Sequence, residues 1–358
     1  MNTGKNDRKE NIQDGQYQRR VRYSGSYPKN YKEKYKELNP DKYRETREHI
    51  LEKGGTPAGT HVPICVEEIL HFLQIKPGQK GLDATLGYGG HSEKMLERLE
   101  HKGHLYATDV DTEEALKTVK RLAALGYGEE EFSLRIMNFS RIDELVTEVG
   151  PFDFILADLG VSSMQIDNPD RGFSYKTEGP LDLRMNQNTG IPASARLLQM
   201  DREEIEGMLT ENSDEPYAAE IAKTLYSDMK GSVKPETTEQ LRREIEKALS
   251  FLQGEEGKEA VKKSCARTFQ ALRIDVNREY EVLYQFLQKL PEALAPGGKI
   301  VFLTFHSGED KLVKKAFREG FQNGIYSEIA KDVTRPSAEE CIRNSRAHST
   351  KMRWAVRK

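Results

Sequence analysis

Apolar and polar residues alternate along the first half of the chain in a pattern typical of strands joined by helices. Short apolar runs predict β-strands at residues 81–86, 104–110, 132–138 and 152–158. Between these runs, apolar residues recur at helical spacing and predict helices at residues 90–99, 112–125 and 140–149. Strands that alternate with helices of about 10–15 residues are typical of a parallel sheet, so the pattern predicts an α/β fold.

This alternation stops at Asp158, and the next strand is predicted only at residues 299–305, after a Pro-Gly-Gly turn. The interval is too long for one crossover connection and has a helical pattern. Asp201 and Thr237 are each followed three residues later by Glu or Gln, which is the pattern of a capped helix start. A helix is predicted over residues 266–290, and a last strand over residues 352–358, with the only tryptophan packed against a neighbour.

The pattern therefore predicts a two-part core interrupted by an inserted helical subdomain. The predicted divisions are an N-terminal arm at 1–60, the first part of the core at 61–174, the insertion at 175–265 and the second part of the core at 266–358. Residues 1–22 are polar without an apolar period, which predicts that the arm is partly disordered.

Charge is distributed unevenly, although the net charge is only −3. Residues 1–60 carry an excess of five positive charges and residues 331–358 another five, so the middle of the chain is acidic. Tyrosines alternate with lysines in the arm, where they could stack on bases or instead pack on the protein's own surface. The basic ends are compatible with contacts to nucleic acid phosphates.

Composition excludes several classes of protein. The chain has no apolar run long enough for a membrane span and no secretory signal, so we expect a cytoplasmic protein without a membrane partner. Its three cysteines are far apart in sequence and form no CxxC pair. That spacing disfavours a zinc site or a disulfide framework and agrees with a reducing compartment.

The first candidate site is the glycine-rich segment DATLGYGGHSEK at 83–94, at a strand-to-helix junction. Its glycines let the backbone approach a ligand closely and leave N–H groups free at a helix start. Asp109 ends the second strand, where nucleotide-binding α/β folds place the carboxylate that binds ribose hydroxyls. The pair fits NAD almost as well as S-adenosylmethionine, but the loop is not a GxGxxG motif, which favours S-adenosylmethionine. His91 could cap the helix or contact the ligand.

Two further segments follow strands and should reach the same cleft. Asp158 ends the fourth strand and begins a polar segment that extends to residue 185. His306 lies in TFHSGED at 304–310, after the strand at 299–305. The carboxyl ends of parallel strands meet at one edge of the sheet, so both side chains should face the glycine-rich loop. We predict no metal, because His306, Glu309 and Asp310 lack an obvious fourth ligand.

Together these segments resemble the RsmH/MraW family. The similar stretches, between about residues 61 and 353, are HVPICVEEIL, DATLGYGGHSEK, DLGVSSMQIDNPDRGFSYKTEGPLDLRM, ARTFQALRIDVNREYEVL, LAPGGKIVFLTFHSGED and RPSAEECIRNSRAHSTKMR. The resemblance implies a Rossmann-like class I methyltransferase core with a helical insertion. It also implies that the chain methylates N4 of a cytidine in 16S rRNA of the small ribosomal subunit, with S-adenosylmethionine as cofactor.

The resemblance assigns cofactor contacts to Gly89, Gly90, His91, Asp109, Phe139, Asp158 and Gln165. Asp109 should bind the ribose, and Phe139 should pack by the adenine. A cytosine amine is a poor nucleophile, so we expect a catalytic acceptor for one amine hydrogen, with Asp158 as first and His306 as second candidate. Basic side chains are the candidates for RNA phosphate contacts, although each could simply be a solvated surface charge: Arg184, Arg267, Arg273, Arg346, Lys351 and Arg353.

The sequence also departs from the family pattern. Gly308 stands where the family usually has Leu, the tail reads NSRAHSTKMR, the insertion reads SDEPYAAEIA, and the arm at 1–60 is additional. These departures suggest a divergent paralogue with an intact cofactor pocket. Methylation of a different RNA nucleotide, a non-catalytic ribosome-binding role and an NAD-dependent oxidoreductase remain alternatives, and a homodimer is possible.

Overall fold

A computed structural model of the protein describes residues 63–231 and 233–358. The N-terminal arm predicted at 1–60 lies outside the described residues. The first half alternates between strands and helices as predicted. Its elements are α1 (Val66–Leu73), β1 (Lys80–Asp83), α2 (Gly90–Leu99), β2 (His104–Asp109), α3 (Thr112–Ala124), β3 (Phe132–Ile136), α4 (Ile142–Val149) and β4 (Phe152–Asp158).

The next six α-helices follow β4 along the described chain. They are α5 (Ser163–Asp167), α6 (Ala193–Leu197), α7 (Arg202–Ser213), α8 (Ala218–Gly231), α9 (Thr238–Ala248) and the long α10 (Gly254–Asn277). The rest of the chain forms α11 (Glu279–Ala293), β5 (Leu294–Thr304), α12 (Ser307–Gln322), β6 (Tyr326–Ile329), α13 (Ala338–Arg343) and β7 (Lys351–Arg357).

The seven strands form one sheet in the order β3-β2-β1-β4-β5-β7-β6. Strands β3, β2, β1, β4 and β5 are parallel, and β7 runs antiparallel between β5 and β6. Helices cover both faces, and each face has its own apolar core. The α/β fold with a Rossmann-like parallel sheet is therefore confirmed. Strand order reverses between β1 and β4, and in such sheets ligands bind in the crevice beside the carboxyl ends of those strands.

The helices between β4 and β5 pack around a third core that extends from Phe173 to Leu272. Two of their starts carry the capping boxes expected from the sequence. Asp201 accepts a hydrogen bond from the backbone of Glu204, and Thr237 accepts one from the backbone of Gln240. The proposed boundary between residues 265 and 266 falls inside α10, so one continuous helix crosses it, and the division of the chain into domains stays a prediction.

The prediction of a single helix over residues 266–290 is wrong. Arg278 adopts φ 51° and ψ 42°, which ends α10, and α11 begins at the next residue. A left-handed residue cannot continue a right-handed helix, so the chain changes direction there. This break brings Glu279, at the start of α11, back beside Arg273 of α10.

The C-terminal part adds a strand that the sequence did not reveal. Strand β6 has only four residues, Tyr326–Ile329, too few for a recognisable alternation. Its partner β7 is the strand predicted at 352–358, and Trp354 of that strand stacks on Phe72 with ring centroids 4.4 Å apart. Among the described residues, no helix is both long and apolar enough to cross a membrane.

Candidate cofactor and active site

A cleft of about 390 Å³ opens at the carboxyl ends of β1, β2 and β4, at the point where strand order reverses. This volume is within the range of pockets that hold small ligands. All seven residues predicted to contact the cofactor line this cleft, and so does His306. They are Gly89, Gly90, His91, Asp109, Phe139, Asp158 and Gln165.

The glycine-rich loop takes its shape from two left-handed residues, Gly87 (φ 49°) and Gly89 (φ 75°). Gly89 packs so closely against α3 that a Cβ atom would lie 2.6 Å from Cγ2 of Thr118. The hydroxyl of Thr118 donates to the carbonyl of Gly87 at 2.7 Å. The loop is thus held against α3, and Gly90 begins α2 at the edge of the cleft.

Asp109 is held at the end of β2 by two backbone donors. Its carboxylate accepts the N–H of Gly87 at 2.8 Å and the N–H of Asp111 at 2.8 Å. Burial raises the pKa of Asp109 to about 6, against the opposing effect of these hydrogen bonds. A fixed carboxylate at this position suits a ribose diol.

Gln165 lines the cleft, but its amide is already used within the protein. Its side chain accepts the N–H of Ser162 and donates to the carboxylate of Asp111 at 2.9 Å. Arg171 also pairs with Asp111, at 2.7 Å. Asp111 therefore joins the β2 end to α5, a structural role that the sequence analysis missed. The sequence feature that could have indicated this role is the position of Asp111 two residues after Asp109.

Phe139 contributes to an apolar wall of the cleft. Its ring contacts Phe286 edge-on, with centroids 5.0 Å apart, so the core fixes its orientation. Val110 and Met137, which the sequence analysis did not single out, line the same cleft. Flat apolar surface of this kind suits a purine ring.

Asp158 ends β4, and its side chain is 25% exposed. Its backbone N–H donates to the hydroxyl of Thr85, which holds the strand end in place. Within the described residues, Oδ1 is buried and has no hydrogen-bond partner. Burial raises the pKa of Asp158 to about 6 against the opposing effect of His91, and the charges of Asp83 and Glu309 add to the rise.

These features fit S-adenosylmethionine better than a dinucleotide. The cleft offers a glycine-rich loop, a ribose carboxylate and an apolar wall, as any adenosine ligand needs. S-Adenosylmethionine also carries positive charge on its sulfonium and amino groups. The carboxylates of Asp109 and Asp158, the latter with an unpartnered buried oxygen, complement that positive charge.

The side of the cleft formed by α10, α11 and the start of α12 holds two close pairs of polar side chains. His306 Nε2 lies 3.2 Å from Oε1 of Glu309. Burial alone would raise the pKa of Glu309, but His306, the backbone N–H of Phe305 and Arg273 together outweigh burial and lower it. Arg273 donates to both carboxylate oxygens of Glu279, at 2.8 and 3.0 Å. Although Glu279, His306 and Glu309 lie close together, Arg273 already occupies Glu279, which disfavours a cation there.

The basic residues predicted to contact RNA do not form one surface. Arg353 is only 5% exposed and pairs with Asp310, and Arg273 faces Glu279. These placements do not favour phosphate contacts, because both guanidinium groups are already used inside the protein. Arg184 and Lys351 pair with Asp182 and Asp310 and are partly exposed. Arg267 and Arg346 are more exposed, at 39% and 36%, and Arg346 lines the cleft.

Gly308, the departure noted in the sequence, has a structural reason. A Cβ atom at this position would lie 1.9 Å from the hydroxyl oxygen of Tyr280. Tyr280 in turn donates to the carbonyl of Asn212 in α7 and packs beside His306, with ring centroids 5.8 Å apart. Tyr280 therefore fills the space that a larger residue 308 would need.

Gly308→Ala should displace Tyr280, because the ring cannot yield 1 Å or more without losing its bond to Asn212. We expect a loss of stability of about 1–3 kcal/mol, typical of overpacking. The measurement is chemical denaturation of the variant. The double variant Gly308→Ala/Tyr280→Phe removes the hydroxyl and should recover part of the loss; no recovery would contradict the assigned clash.

Comparison with known proteins agrees with this site. The family model described as the MraW methylase family matches residues 58–358. "Ribosomal RNA small subunit methyltransferase H 1" of Agathobacter rectalis is 62% identical over 342 residues, which cover 96% of this chain and 98% of that protein. "Ribosomal RNA small subunit methyltransferase H 2" of Alkaliphilus metalliredigens is 58% identical, covering 95% and 97%.

A more distant relative, "Ribosomal RNA small subunit methyltransferase H" of Acidobacterium capsulatum, is 37% identical and covers 83% of this chain and 98% of its own length. The family model begins at residue 58, whereas the match to the Agathobacter rectalis protein leaves out only a few per cent of this chain. Most of the N-terminal arm is therefore shared with that relative. The resemblance seen in the sequence motifs is confirmed, and the chain belongs to the MraW methylase family.

Proposed function

We propose that this protein transfers a methyl group from S-adenosylmethionine to N4 of a cytidine in 16S rRNA of the small ribosomal subunit. The observation that carries the proposal is the position of Asp158. This carboxylate ends β4 inside the cleft that also holds the glycine-rich loop and Asp109, and it has an unpartnered buried oxygen. The names of these relatives, all small-subunit rRNA methyltransferases, support the substrate class.

The cofactor supplies an electrophilic methyl carbon when it is bound. The protein's part is to align the amine with that carbon, to exclude water and to accept a proton. A cytosine amine is weakly nucleophilic because its lone pair is conjugated with the ring. If Asp158 accepts one amine hydrogen, electron density stays on the nitrogen. His306 lies across the same cleft and is the second candidate for this contact.

The target base must leave its stack to enter a cleft of this depth. Arg346 lines the cleft and Arg267 lies exposed on α10, so these two are the favoured phosphate contacts. All four are paired with carboxylates, but Arg184 and Lys351 are less favoured because their side chains are less exposed. A ribosomal RNA substrate implies a cytoplasmic location. A homodimer stays a prediction.

Mass spectrometry of nucleosides tests the proposed function. Small-subunit rRNA is isolated from cells with and without the gene, and from deleted cells that carry the gene on a plasmid. We expect N4-methylcytidine to disappear on deletion and to return with the plasmid. Loss of a different methylated nucleoside would show that the protein methylates another nucleotide. No change in any nucleoside, together with no binding of S-adenosylhomocysteine, would favour a non-catalytic ribosome-binding protein.

A further inference from the structure

A contact with the backbone requires a hydrogen on Nε2 of His91. The residue lies in the first turn of α2 and is 9% exposed. Its Nε2 atom lies 2.9 Å from the carbonyl oxygen of Ile64. A carbonyl can only accept, so Nε2 must carry a hydrogen. In the neutral ring, Nδ1 is then a bare lone pair.

That lone pair lies beside Asp158. Nδ1 lies 3.5 Å from Oδ2 of Asp158, which is longer than a well-formed hydrogen bond. The other carboxylate oxygen, Oδ1, is buried and has no hydrogen-bond partner among the described residues, so Oδ2 is the oxygen beside His91. Two acceptors that face each other in a buried place repel when both are unprotonated. The pair therefore favours the uptake of one proton.

We propose that the His91–Asp158 pair takes up the proton released by methyl transfer, with Nδ1 of His91 as its final holder. The inference rests on the proposed function. It makes His91 a positioning residue that acts through Asp158, in addition to its place beside the cofactor.

The amine nitrogen forms a bond to the methyl carbon while the carbon–sulfur bond breaks, and the electron pair of the broken bond stays on sulfur. The nitrogen then loses a proton to Oδ2 of Asp158. The proton then passes to Nδ1 of His91, so that an imidazolium lies beside an ionised carboxylate. His91 releases this proton to solvent when the product leaves the cleft. Separations of this size in a free enzyme commonly shorten in the reacting complex.

The surrounding charges favour this uptake. Asp83 of β1 and Glu309 of α12 face Asp158, and Asp83 and Glu340 of α13 face His91. All three are carboxylates, and a negative charge nearby stabilises an added proton. Burial also raises the pKa of Asp158 to about 6, so the pair is suited to accept a proton near neutral pH.

The test is the pH dependence of the single-turnover rate in His91→Gln. Glutamine keeps a donor for the carbonyl of Ile64 but has no atom that accepts a proton from Asp158. With small subunits from deleted cells as substrate, we expect the rate at pH 7.5 to fall about 10- to 100-fold. The fall of the rate at acid pH should move to lower pH, because Asp158 alone binds a proton more weakly than the pair does.

Three further measurements separate this role from a structural one. Calorimetry with S-adenosylhomocysteine measures any loss of cofactor affinity, and the pH profile is recorded at saturating cofactor so that such a loss does not affect the rate. Nitrogen-15 NMR of the wild-type protein should show His91 as the Nε2–H form. His71→Gln, which changes an exposed histidine on α1, should leave the pH profile unchanged. If His91→Gln destabilises the chain, His91→Asn is the second variant, and it should move the profile in the same direction.

A slower His91→Gln with an unmoved pH profile would overturn the inference, as would an Nδ1–H form in the NMR spectrum. The identity of the methylated nucleoside is a separate readout. A product other than N4-methylcytidine would overturn the proposed substrate and leave the pH test valid. Absence of any product with wild-type protein would overturn the proposed function, while the NMR result would still decide the geometry of the pair.

Discussion

Asp158→Asn should lower the single-turnover rate of methyl transfer by about two to three orders of magnitude, within the range seen when a general base is lost. Asparagine has nearly the same shape, so the end of β4 and its bond to Thr85 should persist. The amide cannot take up a proton, and its NH₂ group would compete with the substrate amine as a donor. The loss should therefore be larger in the rate than in cofactor binding, although Asp158 also faces the positive charge of the cofactor.

The rate is measured by quenching a single turnover on small subunits from deleted cells, and the affinity for S-adenosylhomocysteine by calorimetry. Asp332→Asn is the control, since it changes an exposed carboxylate outside the cleft. For the wild type, the rate should fall as pH drops toward about 6, because a His91–Asp158 pair that already holds a proton no longer acts as a base. Full turnover by Asp158→Asn with unchanged cofactor affinity would show that Asp158 is not the proton acceptor.

Asp310→Ala should lower the free energy of unfolding by about 3 kcal/mol, the scale for breaking a buried ion pair. Asp310 is 8% exposed and Arg353 is 5% exposed. Arg353 donates to both oxygens of Asp310, at 2.5 and 3.2 Å. Removal of the carboxylate leaves the guanidinium of Arg353 buried in the middle of β7 with its charge uncompensated.

Urea denaturation measures this loss, and the wild type should lose the same stabilisation in acid. Burial would raise the pKa of Asp310, but Arg353 and Lys351 outweigh burial and hold it below its usual range. The stabilisation is therefore complete above about pH 4 and is lost as pH falls through the lowered value. Glu113→Gln, in an exposed ion pair with Lys117, is the control and should change stability little. If Glu113→Gln and Asp310→Ala lowered the free energy of unfolding equally, the buried pair of Asp310 and Arg353 would not be more stabilising than an exposed ion pair.

Much of the cofactor site could be predicted because its signals are local. Gly87, Gly89, Asp109 and Asp158 each stand at the carboxyl end of a strand whose apolar run is visible in the sequence. In a parallel sheet those ends meet at one edge, so three separate segments could be assigned to one cleft. The glycine-rich loop at 83–94 needed no tertiary information.

The features that the sequence could not predict depend on contacts between residues far apart in the chain. Whether Arg353 is a surface charge or a buried one depends on Asp310, 43 residues away, and on β7 inserting beside β5. The break at Arg278 is equally invisible, because arginine favours helices and only a left-handed backbone ends α10 there. The Tyr280 contact explains Gly308 only once α11 and α12 are packed together.

The place of β7 in the sheet has a consequence for synthesis of the protein on the ribosome. It is the last strand of the seven in chain order, yet it pairs with β5 and β6 on either side. While the nascent chain grows, β1 to β5 can assemble, but the backbone groups along one side of β5 have no partner. An open strand edge can pair with another chain. Residues 351–357 thus act as the closing element of the fold, and delayed or truncated synthesis leaves an intermediate prone to aggregation.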